Sequence, residues 1–417
     1  MAINTFLGTA PAVAQVDTFT PGGTIEADDI FILTVSGFDG SSLVVSAAAG
    51  GTAATDVVTA LKAAWVTSQT TGSLTENITA SGTATLILTA DTAGVEFKVV
   101  GTTTEAGGGA ADDQTFIRAA TTANAGPNSW DDANNWSEGT IPGATAGEDT
   151  VIENSSVDIL YGLNQSGAAE TLTTLRFKRT YTGLVGWNGG TGLVGDYLQV
   201  KATKAFIGGH FASGNPSGSG RIKIDFGSTQ ATVIQYFMAT SADSPKPAFR
   251  MLADNAATII QEIRKGSAGV AQGTGETSTI GSALISFDTN RSPDASLEIG
   301  SGTTITTVTG DGGETYVFAA ATTITSNGGT LTTAGTGAVT NLIVAGGSVE
   351  SSSTGTVGTC TITKGGTCDF TKNAEARTVT TLTLDDGVLQ YDKAIVTITS
   401  KVEPGSNGRT QLRASSI

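Results

Sequence analysis

Basic residues are scarce in this chain: 22 Lys and Arg stand against 38 Asp and Glu in 417 residues, a formal net charge of −16 at pH 7. Phosphate backbones are held by clusters of Lys and Arg, and none occurs, so a nucleic-acid partner is excluded. Charge of either sign is thin, at 14% of residues where about a quarter is usual. Hydrophobic residues still make up 39%, which separates the chain from disordered sequences that combine high charge with low hydropathy. Two cysteines are no disulfide framework, and a single histidine, His210, is no metal cluster. No run approaches about 18 apolar residues, so no segment reads as membrane-spanning. The first basic residue is Lys62, so the positive n-region of a secretory signal is missing, although Ala12, Val13 and Ala14 superficially resemble a cleavage site. Synthesis in the cytosol is the expectation.

Glycine is what the chain has in excess: 55 residues, roughly twice the average share, among abundant Thr, Ser, Ala and Val. That composition predicts a turn-dense, mainly β fold, and the length predicts about two to three domains. Residues 1–15 read as an N-terminal arm. Residues 16–120 read as a small α/β anchoring domain of order ββαβββ. Phe31, Leu33 and Val35 alternate, Asp39 and Gly40 turn the chain, and 43–45 return. Val57, Val58, Leu61, Ala64 and Trp65 then follow helical spacing behind a cap at Thr52 or Thr55, and strands follow at 74–79, 86–88 and 95–99. Residues 121–160 hold Trp130 and Trp136 in a polar, turn-rich context and read as a junction or cap.

Residues 161–400 read as a β-solenoid, with a polar tail at 401–417. Between 300 and 400 a Thr-rich strand, a glycine pair and a second strand recur: ITTVTGDGGETYV, TITSNGGTLTT, LIVAGGSVES, TITKGGTCDF and TLTLDDGVLQY. Their pivotal glycines, Gly313, Gly329, Gly347, Gly366 and Gly387, recur every 16 to 21 residues, the spacing of a stacked repeat. Glycine there is expected to supply positive φ at the corners. The inward positions are expected at Ile324, Leu331, Ile343, Val349, Ile362, Cys368, Phe370, Leu382, Leu384, Leu389 and Tyr391, with Thr facing outward. Exposed faces of Thr, Val and Ala invite burial against symmetry mates, and a homotrimer is the preferred state.

The chemistry-bearing residues yield no catalytic, cofactor or metal assignment. Cys360 and Cys368 flank a glycine corner in phase with apolar neighbours and read as core thiols, with a disulfide the alternative. Asp131, Asp132, Glu138, Glu148 and Asp149 surround the tryptophans without a calcium-loop pattern and read as turn formers, as do Asp385 and Asp386. Asp225, Glu262, Asp288 and Glu298 are isolated acids, and no pair is singled out for glycoside hydrolysis. His210 reads as a loop residue. Arg176, Lys178, Arg179, Lys201 and Lys204 form small basic spots that suit acidic partner subunits. No GxSxG, HExxH, P-loop or strand-linked GxGxxG is present.

Four segments, FLGTAPAVAQVDTFTPG, LTADTAGVEFKV, SWDDANNWSEGTIP with EDTVIENSSVDILYGLNQS, and SGSGRIKIDFG, together resemble a family of tailed-bacteriophage and prophage virion structural proteins. The resemblance implies a small N-terminal α/β domain, a β-solenoid body and a non-enzymatic role as a capsid decoration, cement or head-spike protein. Its implied partners are the major capsid protein or other virion proteins, with no nucleic acid, membrane or cofactor, on the capsid exterior. The alternative is a tail fibre or tailspike that binds, or also hydrolyses, host-surface glycan. A bacterial surface adhesin is a third reading and requires an export signal and an anchor.

Overall fold

The computed structural model describes residues 2–105, 113–187, 196–207, 221–227, 233–238, 247, 249–254, 259–273, 275–285, 295–403 and 409–412. Among these, thirty strands accompany one α-helix, so the chain is mainly β.

The segment expected as an arm is built into the body. Ile3–Thr5 (β1) pairs in parallel with Asp149–Ile152 (β9), with Ile3 opposite Asp149. Phe6 is buried with its ring edge-on to Trp136 at 5.3 Å, and Val13 bridges Ala125. Three residues cannot bury a face alone, so β1 is legible only once its distant partner is known.

Seven antiparallel strands and the helix follow: Val16–Gly22 (β2), Ile30–Ser36 (β3), Ser42–Ala48 (β4), Ala54–Ser68 (α1), Ile78–Ser81 (β5), Leu86–Ala90 (β6), Lys98–Thr104 (β7) and Thr115–Thr122 (β8). They form two sheets, ordered β5-β6-β2-β8 and β4-β3-β7. Strands β2 and β8 go beyond the five expected, and the strands predicted at 74–79 and 95–99 begin later, at Ile78 and Lys98. Helix α1 buries Val57, Val58, Leu61 and Trp65 at helical spacing, and the Trp65 indole N–H donates to Ile78 O at 2.9 Å. Its cap is neither threonine: the Asp56 carboxylate accepts the Ala53 N–H instead, at 3.2 Å.

From β9 onward the strands run in parallel, and most pair with the strand two further along. One ladder ends with Ser278–Ile285, Thr303–Gly310, Ala321–Ser326, Val339–Val344, Val357–Ile362, Arg377–Leu384 and Val396–Val402. The other ends with Ala295–Ile299, Glu314–Val317, Thr330–Thr333, Ser348–Ser351, Thr367–Asp369, Val388–Tyr391 and Arg409–Leu412. Arg409–Leu412, expected in a tail, therefore belongs to a ladder. Register makes columns: Val308, Ile324, Leu342, Cys360 and Leu382 stack in one ladder, and Leu331, Val349, Cys368 and Leu389 in the other. All nine are essentially inaccessible to solvent, and burying a large apolar side chain contributes roughly 1.5–3 kcal/mol. Ile343 departs from expectation: Leu342 and Val344 point inward, and Ile343 stacks between Thr325 and Thr361. An apolar run of three carries no alternation, so it cannot set its own phase. Tyr391 is only half-buried and packs at the edge of the core.

The corners divide into two kinds. Gly313, Gly329 and Gly347 have φ of 61°, 68° and 64°, as expected. Gly366 and Gly387 do not: positive φ falls instead on Lys364 and Gly365, and on Asp386. At those two sites glycine answers close approach. A Cβ on Gly387 would lie 2.4 Å from Ile362 Cγ2, and one on Gly366 would lie 2.8 Å from Val344 Cγ1. Successive corners are tied by Thr330 N–H to Gly313 O at 2.9 Å, Ser348 N–H to Gly329 O at 2.9 Å and Val388 N–H to Gly366 O at 2.9 Å.

Candidate functional site

Among the described residues, a cleft of about 420 Å³ has walls that come from five stretches far apart in sequence. Phe38 follows β3, Glu96 lies just before β7 and Lys98 begins it. Asp131 comes from the tryptophan segment, and residues 162–165 and 196–199 come from the parallel body. Phe38 and Tyr197 are the aromatic residues of its lining, and Phe38 is held from outside the lining by Trp187, stacked with centroids 5.2 Å apart, and by Tyr161, edge-on at 5.3 Å. Lys98 Nζ sits 4.0 Å from the Phe38 ring centroid and forms an ion pair with Asp196. Tyr197 closes one side, with its hydroxyl donating to Pro247 O at 2.6 Å.

Burial raises the pKa of two of the cleft's acids, Glu96 and Asp131. Burial pushes the Glu96 carboxyl up, opposed by Lys98 and reinforced by Asp131 and Asp196. Asp131 is an exposed residue, but its carboxyl folds over Gly162, where a built Cβ would lie 2.1 Å from Oδ1. That covering raises its pKa as well. Burial also raises Tyr161, and it raises Tyr197 to about 12 against the pull of Arg221 and Arg250. Three carboxyls, the carboxamides of Asn164, Gln165 and Gln199, one ammonium and the rings of Phe38 and Tyr197 make a cleft suited to hydrogen-bonding a polyhydroxylated ligand.

The tryptophans lie beside this cleft and do not line it. Trp130 and Trp136 are buried, 4.6 Å apart and edge-on, with the Trp136 indole N–H donating to Trp130 O at 2.8 Å. Of the acids around them only Asp131 reaches the cleft. Asp132 caps the 3₁₀ turn Ala133–Asn135 through Asn134 N–H at 3.0 Å, and Glu148 is buried, accepting Gly143 N–H at 3.0 Å. Glu138 is exposed, and Asp149 lies in β9. Cys360 and Cys368 are buried free thiols in the columns described above. Asp385 and Asp386 form a corner. Asp225 accepts Gly227 N–H at 2.9 Å, Glu298 borders a separate shallow concavity, and Glu262 lies in Ile259–Val270. His210 and Asp288 lie outside the described residues. Among the basic spots, Arg176 covers the Phe206 ring at 4.5 Å and Lys178 pairs with Glu153 at 2.6 Å.

Two structural hubs escaped the sequence reading. Gln15 satisfies both backbone groups of Phe97, at 2.9 and 3.0 Å. Asn135 donates to Gly126 O and Ser129 O and accepts Ala10 N–H. Both are polar and buried, the one signature that composition alone cannot reveal. Compared with protein families, curated proteins and solved structures, the chain finds no match.

Proposed function

We propose that this chain is a non-enzymatic structural protein of a tailed-phage particle, a capsid decoration, cement or head-spike protein whose two ladders are faces of a β-solenoid. The observation that carries the reading is the in-register stacking of inward columns and corner hydrogen bonds through the last third of the chain. Such a body gains stability by adding copies of one unit, which suits a projecting scaffold. The small α/β domain is the proposed anchor to the major capsid protein, and the acidic surface suits the outside of a DNA-filled shell better than its inside. The proposed assembly is a homotrimer, with the outward Thr faces in contact. Cryo-electron microscopy of purified particles, with mass spectrometry of their proteins, tests this: the expected result is a trimeric projection on the head. Absence from mature particles, or density on the tail, overturns it.

The cleft favours a second reading, a tail fibre or tailspike that binds host-surface glycan. Its furnishing of carboxyls, carboxamides and aromatic rings is that of a saccharide site. A glycan array probed with the full chain and with Gln165→Ala tests it: saturable binding lost in the variant supports the reading, and an array without signal removes it.

A further inference from the structure

A second group of acids, remote from the cleft, lies where the loop between β2 and β3 meets the end of β7. One carboxylate oxygen of each of Glu26, Asp29 and Glu105 lies within 4.8 Å of those of the other two. The topology imposes this meeting. Ile30 pairs with Thr104 across β3 and β7, so the residues just outside that pair, Asp29 and Glu105, flank the same point of the sheet. Like charges placed opposite each other across strands are destabilising.

Asp29 makes the cluster more than a patch of surface acid. Its residue is fully buried. Oδ2 accepts the Glu26 N–H at 2.7 Å, and Oδ1 is buried without a hydrogen-bond donor. Among the described residues neither Glu26 nor Asp29 has a Lys or Arg partner. A buried carboxylate oxygen with no donor and two carboxylates beside it is costly unless a cation is present. The loop is also held in place: Asp29 N–H donates to Glu26 O at 3.2 Å, Ala49 N–H to Asp29 O at 2.8 Å and Gly50 N–H to Ala27 O at 2.8 Å. The oxygens are therefore positioned before any ion arrives.

We propose that Glu26, Asp29 and Glu105 bind a calcium ion that ties the β2–β3 loop to the end of β7. Three hard carboxylate oxygens select a hard divalent cation over zinc or copper. Oxygens on one calcium, at about 2.3–2.6 Å from it, stand at most roughly 5 Å apart, and the observed separation fits within that limit. Glu26 and Glu105 are only half-buried, which leaves room for water to complete the coordination shell. The inference is independent of the virion reading and of the glycan cleft.

The test uses the full chain, stripped with EDTA and desalted, and titrated with calcium chloride in a calorimeter and with terbium chloride by luminescence. The expected result is one saturable site and a rise in melting temperature with calcium that sodium at matched ionic strength does not reproduce. Glu26→Gln, at a half-buried position, is expected to keep the native circular dichroism and weaken calcium binding at least tenfold. Asp29→Asn preserves an acceptor for the Glu26 N–H and is expected to abolish the effect. No saturable binding, or a calcium response unchanged in Glu26→Gln, overturns the proposal and assigns any response to the diffuse acidity of the chain.

Discussion

The indole N–H of Trp136 donates to the backbone carbonyl of Trp130, 2.8 Å away, while the buried indole N–H of Trp130 has no acceptor among the described residues. Two tryptophans six residues apart, both buried, thus carry unequal polar burdens. Phenylalanine at either site removes similar volume, but only at 136 does it also break a buried hydrogen bond. Trp136→Phe is expected to cost roughly 1 kcal/mol more than Trp130→Phe, measured by urea unfolding. Equal losses would deny the bond any net contribution.

At the corners, backbone strain and close approach are separable. Gly365 has φ of 76° with nothing within 4 Å of a built Cβ, whereas Gly329 has φ of 68° and a built Cβ 2.4 Å from Gly313 O. Gly365→Ala should cost about 1–2 kcal/mol, the left-handed penalty alone. Gly329→Ala should cost clearly more, because the obstructing atom is backbone already committed to the Thr330 N–H. Thermal unfolding of the two variants side by side decides it.

The Cys360 thiol beside it, together with burial, holds the Cys368 thiol well above the usual range. A group whose folded pKa is raised adds stability that is complete below its unfolded value, about 8.5 for cysteine, and is lost as pH rises beyond it. Stability should therefore fall from about pH 8.5 upward, and Cys368→Val, matching the Val349 that stacks beside it, should flatten that slope. In the native chain both thiols should resist alkylation and react only on unfolding.

Lys223 and Arg250 stack in register and share one acid, Glu276, at 2.7 and 2.6 Å. Burial pulls the Glu276 carboxyl up, but Lys223, the Gly273 N–H and Arg250 outweigh it and hold the pKa low. Its contribution is present above the unfolded value of about 4.3 and is lost as pH falls below it. Glu276→Gln should cost roughly 2 kcal/mol, less than for a fully enclosed pair because all three side chains keep some solvent access, and should flatten the acid limb. The more exposed pair of Lys178 and Glu153 provides the contrast: Glu153→Gln should cost below about 1 kcal/mol.

What the sequence made readable was local. Helix α1 follows from the spacing of Val57, Leu61 and Trp65, and the alternation around Leu331, Val349 and Leu389 picks out their inward face. Strand β1 was hidden because its pairing partner lies 146 positions away, and β2 because Pro21 and a buried Asp17 interrupt its apolar pattern. The phase of Ile343 was hidden by its apolar neighbours. The cleft was unreadable for the same reason as β1: Phe38, Glu96, Asp131, Gln165 and Asp196 share no local pattern, and only the fold gathers them.

The pairing of β1 with β9 reaches into the timing of synthesis. Ile3–Thr5 is synthesised 146 positions ahead of its partner, which follows about 7–30 s later at roughly 5–20 residues per second. In that interval the intervening small domain has every local element it needs to fold. Once folded, it brings Val13 beside Ala125, replacing a long open loop with a short one and lowering the entropy lost when β1 finally docks. A lesion in the core around Trp65 would therefore surface at a distance, as a body that closes late around β1.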